Sequence, residues 1–476
     1  MKLVAFFFVN KYVLVLSFIL VSCFFLRLNR LDFQSLWLDE LHTAATCAPN
    51  VSWNRFWFIY THDNHPPLFY FIEWIWLNSV GLGDKVVRFP ALLFGVWGVY
   101  AVYVFGKKFS NKELGLILAS LLCVNVYHIE YSQEARQYTL FFALVTFSFA
   151  YLYDILINKN VSKSSAIFYV LSTTGFLYTH YFGVYILASQ AAMVTLFWAN
   201  SGADFKAFWR KTEFRAILIY ASLAVVLFSP MLPVLLKLSA LQEGRDKPSQ
   251  FVILEYILDF YGKQPVLIFL LGFFTVSVLV NKLSNTSKLF FIFSWLLLSL
   301  YIPYIKSMVS APTMHIRYLT GSYPVLIIIV GYGIYKIQNK IYGYSILALF
   351  VMLSVINVFH EKRLYFTNTK CDWRSMGKYM AENNPNNYPL RDITPDLNPI
   401  EMDYRGVYGY YPNYYGNKTI MIKDELFLSS NNMGIWIFES WWMPDHKDFV
   451  KKLEEKNFKL TREQWYFGSH VMCYER

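Results

Sequence analysis

Charged side chains are scarce in this chain. Asp, Glu, Lys and Arg make 16% of 476 residues, where a soluble protein carries about a quarter. Apolar residues rise to 56%, so a disordered chain and an ordinary cytosolic enzyme are both excluded. Cysteine is sparse too. Cys23, Cys47, Cys123, Cys371 and Cys473 show no metal-ligand spacing and are too few for a disulfide scaffold. Cys371 and Cys473 fall in a polar C-terminal stretch and would pair if it faces an oxidising space. The alternating segments of about ten residues that build a β-barrel are missing. No internal repeat is visible.

What the chain has in abundance is apolar sequence in blocks of about 15 to 22 residues, long enough to cross a bilayer as helices. Lys2 and Lys11 precede the first block, 12–26. It resembles a signal peptide, and Leu20-Val21-Ser22-Cys23 resembles a lipoprotein cleavage box. The apolar run nevertheless continues through Phe24, Phe25 and Leu26, and many spans follow. An uncleaved first span with a cytoplasmic N-terminus is expected. Further blocks run 89–106, 114–127, 139–157, 166–179, 182–198, 216–236, 265–280, 289–304, 323–335 and 341–359. Basic connectors separate them at Lys107, Lys108 and Lys112; Lys159 and Lys163; Lys206, Arg210, Lys211 and Arg215; Lys282 and Lys288; and Lys336 and Lys340.

If each block crosses once, every one of these connectors lands on the cytoplasmic side. The net charge of +11, from 43 Lys and Arg against 32 Asp and Glu, is then the cytoplasmic bias of a membrane protein and not a sign of nucleic-acid binding. Residues 67–83 are also apolar enough to span, but a crossing there would move all later connectors outside. Pro66-Pro67 opens this stretch, Glu73 and Asn78 interrupt it, and it is rich in Trp and Tyr. It reads as a helix in the outer interface. The expectation is a polytopic α-helical membrane protein of about eleven transmembrane helices. Residues 1–359 form the membrane module, with a first outer loop at 28–88. Residues 360–476 form a small extracytoplasmic α/β domain, with a buried strand at 434–440 and an amphipathic helix at 448–459.

Polar residues gather in the outer loops. SLWLDELHTAA (35–45) carries adjacent carboxylates, Asp39 and Glu40. Neighbours on a helix point about 100° apart, so one of the pair can face a given pocket. HDNHPPLFYF (62–71) sets His65 at the start of the next helix. YHIEYSQEARQY (127–138) places Glu130, Glu134 and Arg136 together, and a guanidinium suits phosphate oxygens. Lys306, His315 and Arg317 in the 305–322 loop, with Arg88 ahead of the second span, are cations where the charge bias should have removed them. Carboxylates beside cations at a lipid surface suit a base and a phosphate clamp, for transfer from a phosphate leaving group to an acceptor hydroxyl.

Four stretches together resemble the GT-C superfamily of polytopic glycosyltransferases, in its protein O-mannosyltransferase and aminoarabinose-transferase-like branch, the dolichyl-phosphate-mannose-protein mannosyltransferase-like family. They are SLWLDELHTA, the long run from His65 to Phe109, HIEYSQEARQYTL and HIRYLTGSYPVLIII, in family order across about 30–325. DWRSMGKYM (372–380) resembles the start of the family's extracytoplasmic tail. The resemblance implies a GT-C fold and an inverting glycosyltransferase, hexosyl or pentosyl. Its donor would be a polyprenyl-phosphate sugar and its acceptor a lipid, glycan or protein of the envelope. It implies Asp39 as catalytic base with Glu40 supporting it. His65 would lie near the sugar or acceptor, with Glu134 and Arg136 from the second outer motif, and Arg317 near the donor phosphate. No cofactor is implied, and the histidine spacing does not support a divalent cation. Partners are the donor, the acceptor and membrane lipids, with no nucleic acid. A transporter or flippase is the alternative, but mid-span ionisable groups are few and no two-half symmetry is visible.

Overall fold

A computed structural model describes residues 11–200, 209–240, 247–280, 286–391, 421–440 and 446–476. Lys2, Lys206 and Lys282 of the sequence reading lie outside the described residues. The chain divides into two compact units. One is Met1–Asn29, Ser52–Glu73 and Arg88–Tyr365; the other is Arg30–Val51, Trp74–Val87 and Phe366–Arg476. Two stretches of the first loop therefore group with the C-terminal tail, where the sequence assigned them to the membrane module.

In the first unit each of the eleven apolar blocks is helical. The expected count of eleven spans is not reached by length and hydropathy. Among the described residues six helices are long and apolar enough to cross a membrane: Lys11–Leu28, Asp84–Phe109, Tyr138–Leu156, Thr212–Lys237, Thr286–Val309 and Lys340–Glu361. Two bent pairs bring the number to at most eight. Lys112–Cys123 meets Val126–Ser132 at 68°, and Val252–Phe260 meets Pro265–Leu279 at 112°. Tyr323–Tyr335, with 13 residues, rises only about 20 Å, short of a ~30 Å hydrocarbon core. The same length limit applies to Leu68–Val80, in keeping with an interfacial helix.

The helices alternate in direction, and the contacts at their ends show it. At one end Lys108 donates to Asp154 at 2.7 Å, Lys288 to the Phe109 carbonyl at 2.6 Å, and Lys340 to Glu113 at 2.8 Å. Asn111 donates to the Tyr335 hydroxyl at 2.8 Å. Connectors that the sequence placed on one side thus touch one another. A hydrophobic helix that ends in lysine finds its anion or carbonyl on the next helix, because an unpaired charge there is costly.

The break between Lys112–Cys123 and Val126–Ser132 leaves helix-end carbonyls without intrahelical donors. Arg27, fully buried at the end of the first helix, supplies them. Its guanidinium donates to the carbonyls of Cys123 at 3.0 Å, Leu122 at 3.4 Å and Cys23 at 3.2 Å. It also donates to Ser132 Oγ at 3.1 Å and His128 Nδ1 at 2.8 Å. Asn125 restarts the helix, its Oδ1 accepting from the His128 amide at 2.9 Å while its Nδ2 reaches the Phe260 carbonyl at 3.1 Å. His128 and Ser132, two residues of the second-loop motif, therefore serve the bend.

In the second unit a five-stranded sheet is built from β1 (Leu390–Arg391), β2 (Met421–Ile422), β3 (Gly434–Ser440), β4 (Lys459–Tyr466) and β5 (Ser469–Glu475). The order is β2-β1-β3-β5-β4, with β1 parallel to its neighbours and the rest antiparallel. Alternation decides what each face buries. Ile435, Ile437, Met472 and Tyr474 pack against Phe449 and Leu453 of helix Lys447–Glu455. On the other face Trp436 and Phe438 meet Tyr379 and Trp373 of helix Trp373–Glu382. The expected strand 434–440 is present. The expected helix 448–459 stops at Glu455, because Asn457 adopts a positive φ of 65° and turns Phe458 back into the core. Cys371 and Cys473 are buried and not joined by a disulfide; burial pushes the Cys473 thiol up to about 11.

DWRSMGKYM ties the tail to the first-loop stretches of the same unit. Arg374 forms an ion pair with Asp84 and donates to the carbonyls of Asp32 at 2.9 Å and Gln34 at 3.2 Å. Gln34 Oε1 accepts from the amides of Thr369 at 2.8 Å and Lys370 at 3.1 Å.

Replacing Arg27 by Met is expected to strand the Leu122 and Cys123 carbonyls and lower stability by about 3 kcal/mol. Arg27→Lys should recover only part of this, since an ammonium lacks the planar fork. Thermal melting of the purified protein measures both. An unchanged midpoint in Arg27→Met would mean the bend does not need this side chain.

Candidate functional site

At the end of the first unit opposite the lysine contacts, four segments distant in sequence meet. His65 sits just before helix Leu68–Val80, where Pro66 and Pro67 hold the chain extended. Its Nδ1 lies 2.7 Å from Asp63 Oδ1, and its Nε2 lies 2.9 Å from an Nη of Arg136. A guanidinium can only donate. His65 Nε2 must therefore accept, and Nδ1 carries the proton that it donates to Asp63. The chain Asp63–His65–Arg136 holds the imidazole as a neutral Nδ1–H tautomer. In this arrangement His65 is no general base. It aims Arg136, which is 3% exposed and also lies 5.6 Å above the Tyr70 ring. Tyr70 in turn donates to Gln137 Oε1 at 3.0 Å.

Arg136, Glu134 and Arg317 share one neighbour. The Tyr138 hydroxyl lies within the electrostatic reach of all three; it is buried and makes no hydrogen bond. His180, in the short turn between helices Lys163–Thr179 and Gly183–Asn200, connects the pieces. Its ring is 6.3 Å from those of His65 and Tyr138 and 4.9 Å from that of Tyr318. The Arg317 guanidinium lies 5.7 Å from the Tyr318 ring. Beside His180, the Tyr181 hydroxyl also makes no hydrogen bond, and burial with the negative charge of Asp63 pushes its pKa up. The sequence reading missed His180 and Tyr181. A polar His-Tyr pair between two apolar blocks was the available signal.

The remaining cations of the first unit are placed differently. Lys306 lies on helix Thr286–Val309 rather than in a loop, and its ammonium donates to the Ala311 carbonyl at 2.7 Å. His315 starts the 3-10 turn Ile316–Gly321, its Nδ1 accepting from the Arg317 amide at 3.3 Å. Arg88 is buried near the start of helix Asp84–Phe109. Among the described residues no group of three or more His, Cys, Asp or Glu could hold a metal ion.

Glu73 is the unexpected acid. It is fully buried one turn beyond Phe69 and Tyr70, and neither carboxylate oxygen has a hydrogen-bond partner. Burial pushes its pKa well above the ordinary carboxylate range, so the neutral acid is the stable form.

In the second unit, Asp39 and Glu40 open helix Leu38–Thr46. Glu40 is buried, and its Oε2 accepts from Lys370 at 3.1 Å and from the Trp37 amide at 3.3 Å. It caps its own helix and binds the tail. Asp39 is half-buried, with its carbonyl accepting from the Thr43 hydroxyl at 3.1 Å.

No protein-family model matches this sequence, and no curated protein matches it. Solved structures do. ArnT from Cupriavidus metallidurans bound to undecaprenyl phosphate matches with a TM-score of 0.60 at 10% identity, over 98% of each chain. The same protein in the apo state gives 0.61, again at 10% identity and 98% of each chain. The oligosaccharyltransferase of Archaeoglobus fulgidus in the apo form matches with a TM-score of 0.52 at 11% identity, over 91% of this chain and 70% of the other. The chain has the GT-C fold.

Two substitutions test these placements. His65→Phe is expected to release Arg136 and His65→Gln to hold it, so ligand affinity should fall in the first and largely survive in the second. Equal losses would remove the positioning role. For Glu73 the sign is set by its raised folded pKa. Its contribution is most favourable at low pH and is lost as pH rises from the unfolded value through the folded one. Wild type should therefore melt lower than Glu73→Gln at about pH 8 and match it at about pH 4. A constant difference across that range would refute a neutral Glu73.

Proposed function

We propose that this protein is an integral-membrane glycosyltransferase that moves a sugar from a polyprenyl-phosphate donor to a hydroxyl of an envelope acceptor, with inversion, on the extracytoplasmic face. The observation that carries the reading is the gathering of Arg136, Arg317 and Glu134 around the buried, unsatisfied hydroxyl of Tyr138. Two guanidiniums beside one another suit the oxygens of a phosphate, and the buried Tyr138 and Tyr181 hydroxyls would gain hydrogen bonds from polar ligand atoms. A phosphate attached to a sugar supplies both. The GT-C fold, seen in ArnT bound to undecaprenyl phosphate, agrees with a lipid-phosphate donor.

In this mechanism the acceptor oxygen attacks the anomeric carbon while the bond from that carbon to the phosphate oxygen breaks. Negative charge grows on the departing polyprenyl phosphate, and Arg136 and Arg317 stabilise it there. The family resemblance implies Asp39 as the base that takes the acceptor proton, and a single displacement inverts the centre. Glu40, committed to Lys370 and to its helix cap, supports the segment that carries Asp39. The donor is a hexosyl or pentosyl phosphate lipid, and the acceptor a lipid, glycan or protein.

The test is transfer from defined undecaprenyl-phosphate sugars by the purified protein, read with mass spectrometry of envelope glycans from cells with and without the gene. Asp39→Asn is expected to lower turnover by a factor of roughly 10²–10⁴ while the protein still inserts and folds. Arg317→Ala should weaken donor binding. Full turnover in Asp39→Asn would remove the base. Lipid flux into vesicles without any transfer would favour a flippase instead.

A further inference from the structure

The tail carries an aromatic feature that the transfer reading does not use. Among the described residues β4 is an edge strand, and Trp465 on it is 65% exposed. The ring is nevertheless held firmly. It stacks on the buried imidazole of His470, its cross-strand partner, at 3.5 Å and 6°. Its Nε1 donates to Glu463 Oε1 at 3.1 Å, and the same oxygen is 2.9 Å from His470 Nε2. One carboxylate thus fixes both rings, and the indole presents its second face outward.

We propose that this outward face of Trp465 is a docking platform for a pyranose ring of a glycan. An indole face carries negative charge density and attracts polarised, electron-poor hydrogens. The axial C–H groups on one side of a β-linked glucose-type ring are such hydrogens. Glu463, 41% exposed, lies beside the ring to accept from sugar hydroxyls. Ordering the ring in advance lowers the cost of binding.

The local structure argues against the other occupants of an exposed edge. A further strand is disfavoured by the bulge between Leu460 and Arg462 and by the charges of Lys459, Arg462 and Glu463. A tryptophan anchored in a lipid interface keeps its N–H for water or headgroups, whereas this one is engaged by an anionic carboxylate. The inference stands on the tail's own geometry and needs no transfer activity.

The full-length protein, labelled with 5-fluorotryptophan and held in zwitterionic nanodiscs free of glycoside detergent, provides the test. The Trp465 fluorine resonance is assigned by its loss in Trp465→Phe. Titration with cellobiose is expected to shift that resonance, and saturation transfer should fall on the axial ring protons. Trp465→Ala should weaken the transfer by about tenfold, with the remaining tryptophan resonances reporting an intact fold. His470→Ala, which frees the indole to rotate, should weaken the Trp465 shift several-fold. An unmoved Trp465 resonance, or equal transfer in Trp465→Ala, overturns the proposal. Broadening of that resonance by nitroxide-labelled lipid also overturns it and assigns the ring to the membrane. None of these outcomes depends on sugar transfer, so they leave the transferase reading to its own assay.

Discussion

A guanidinium buried among apolar helices has to be given acceptors, and much of the first unit follows from that requirement. Arg27 is placed where a helix breaks, so carbonyls that lost their helical donors find it. The break then becomes tolerable inside an apolar bundle, and Val126–Ser132 can lead the chain into the motif that carries Glu134 and Arg136. Arg136 is served differently. Its acceptor in the Asp63–His65 pair is a histidine nitrogen, and its charge also reaches the Tyr138 hydroxyl. Arg27 is held mainly by backbone carbonyls, and Arg136 is held by side chains.

The same requirement sorts the two ends of the helices. At the lysine end Lys108 meets Asp154, Lys340 meets Glu113 and Lys288 meets the Phe109 carbonyl, each on a neighbouring helix. At the other end Arg136 meets His65 and the Tyr70 ring, Arg317 lies near the Tyr318 ring, and the Tyr138 and Tyr181 hydroxyls make no hydrogen bond. A satisfied end locks the bundle. An unsatisfied end is where a polar ligand gains most, since burying a hydroxyl without a partner is costly until something arrives to pair with it.

The second unit is organised around Arg374 and Lys370. Arg374 gathers Asp84 and the carbonyls of Asp32 and Gln34, while Lys370 meets Glu40. Tail and early loop are thereby one folded body, although more than 280 residues separate Arg374 from Asp84. The DWRS stretch at the start of the tail is the clasp that joins them.

Scarcity of charge and the length of the apolar blocks were enough to determine a helical membrane protein with alternating basic connectors, because a bilayer allows few other solutions for such a chain. The short apolar run in GIWIFES was enough to place a buried strand, and both of its faces are covered. The number of spans was not legible, because a broken helix and a short one look alike in hydropathy. Nor were the roles of Glu40 and Lys306, whose charges read as available until helix capping and a nearby carbonyl were found to engage them. Arg27 was silent in the sequence for the same reason, and His180 and Tyr181 showed only as a polar pair between two apolar blocks. A buried polar residue is defined by what surrounds it, and only tertiary structure brings those surroundings together.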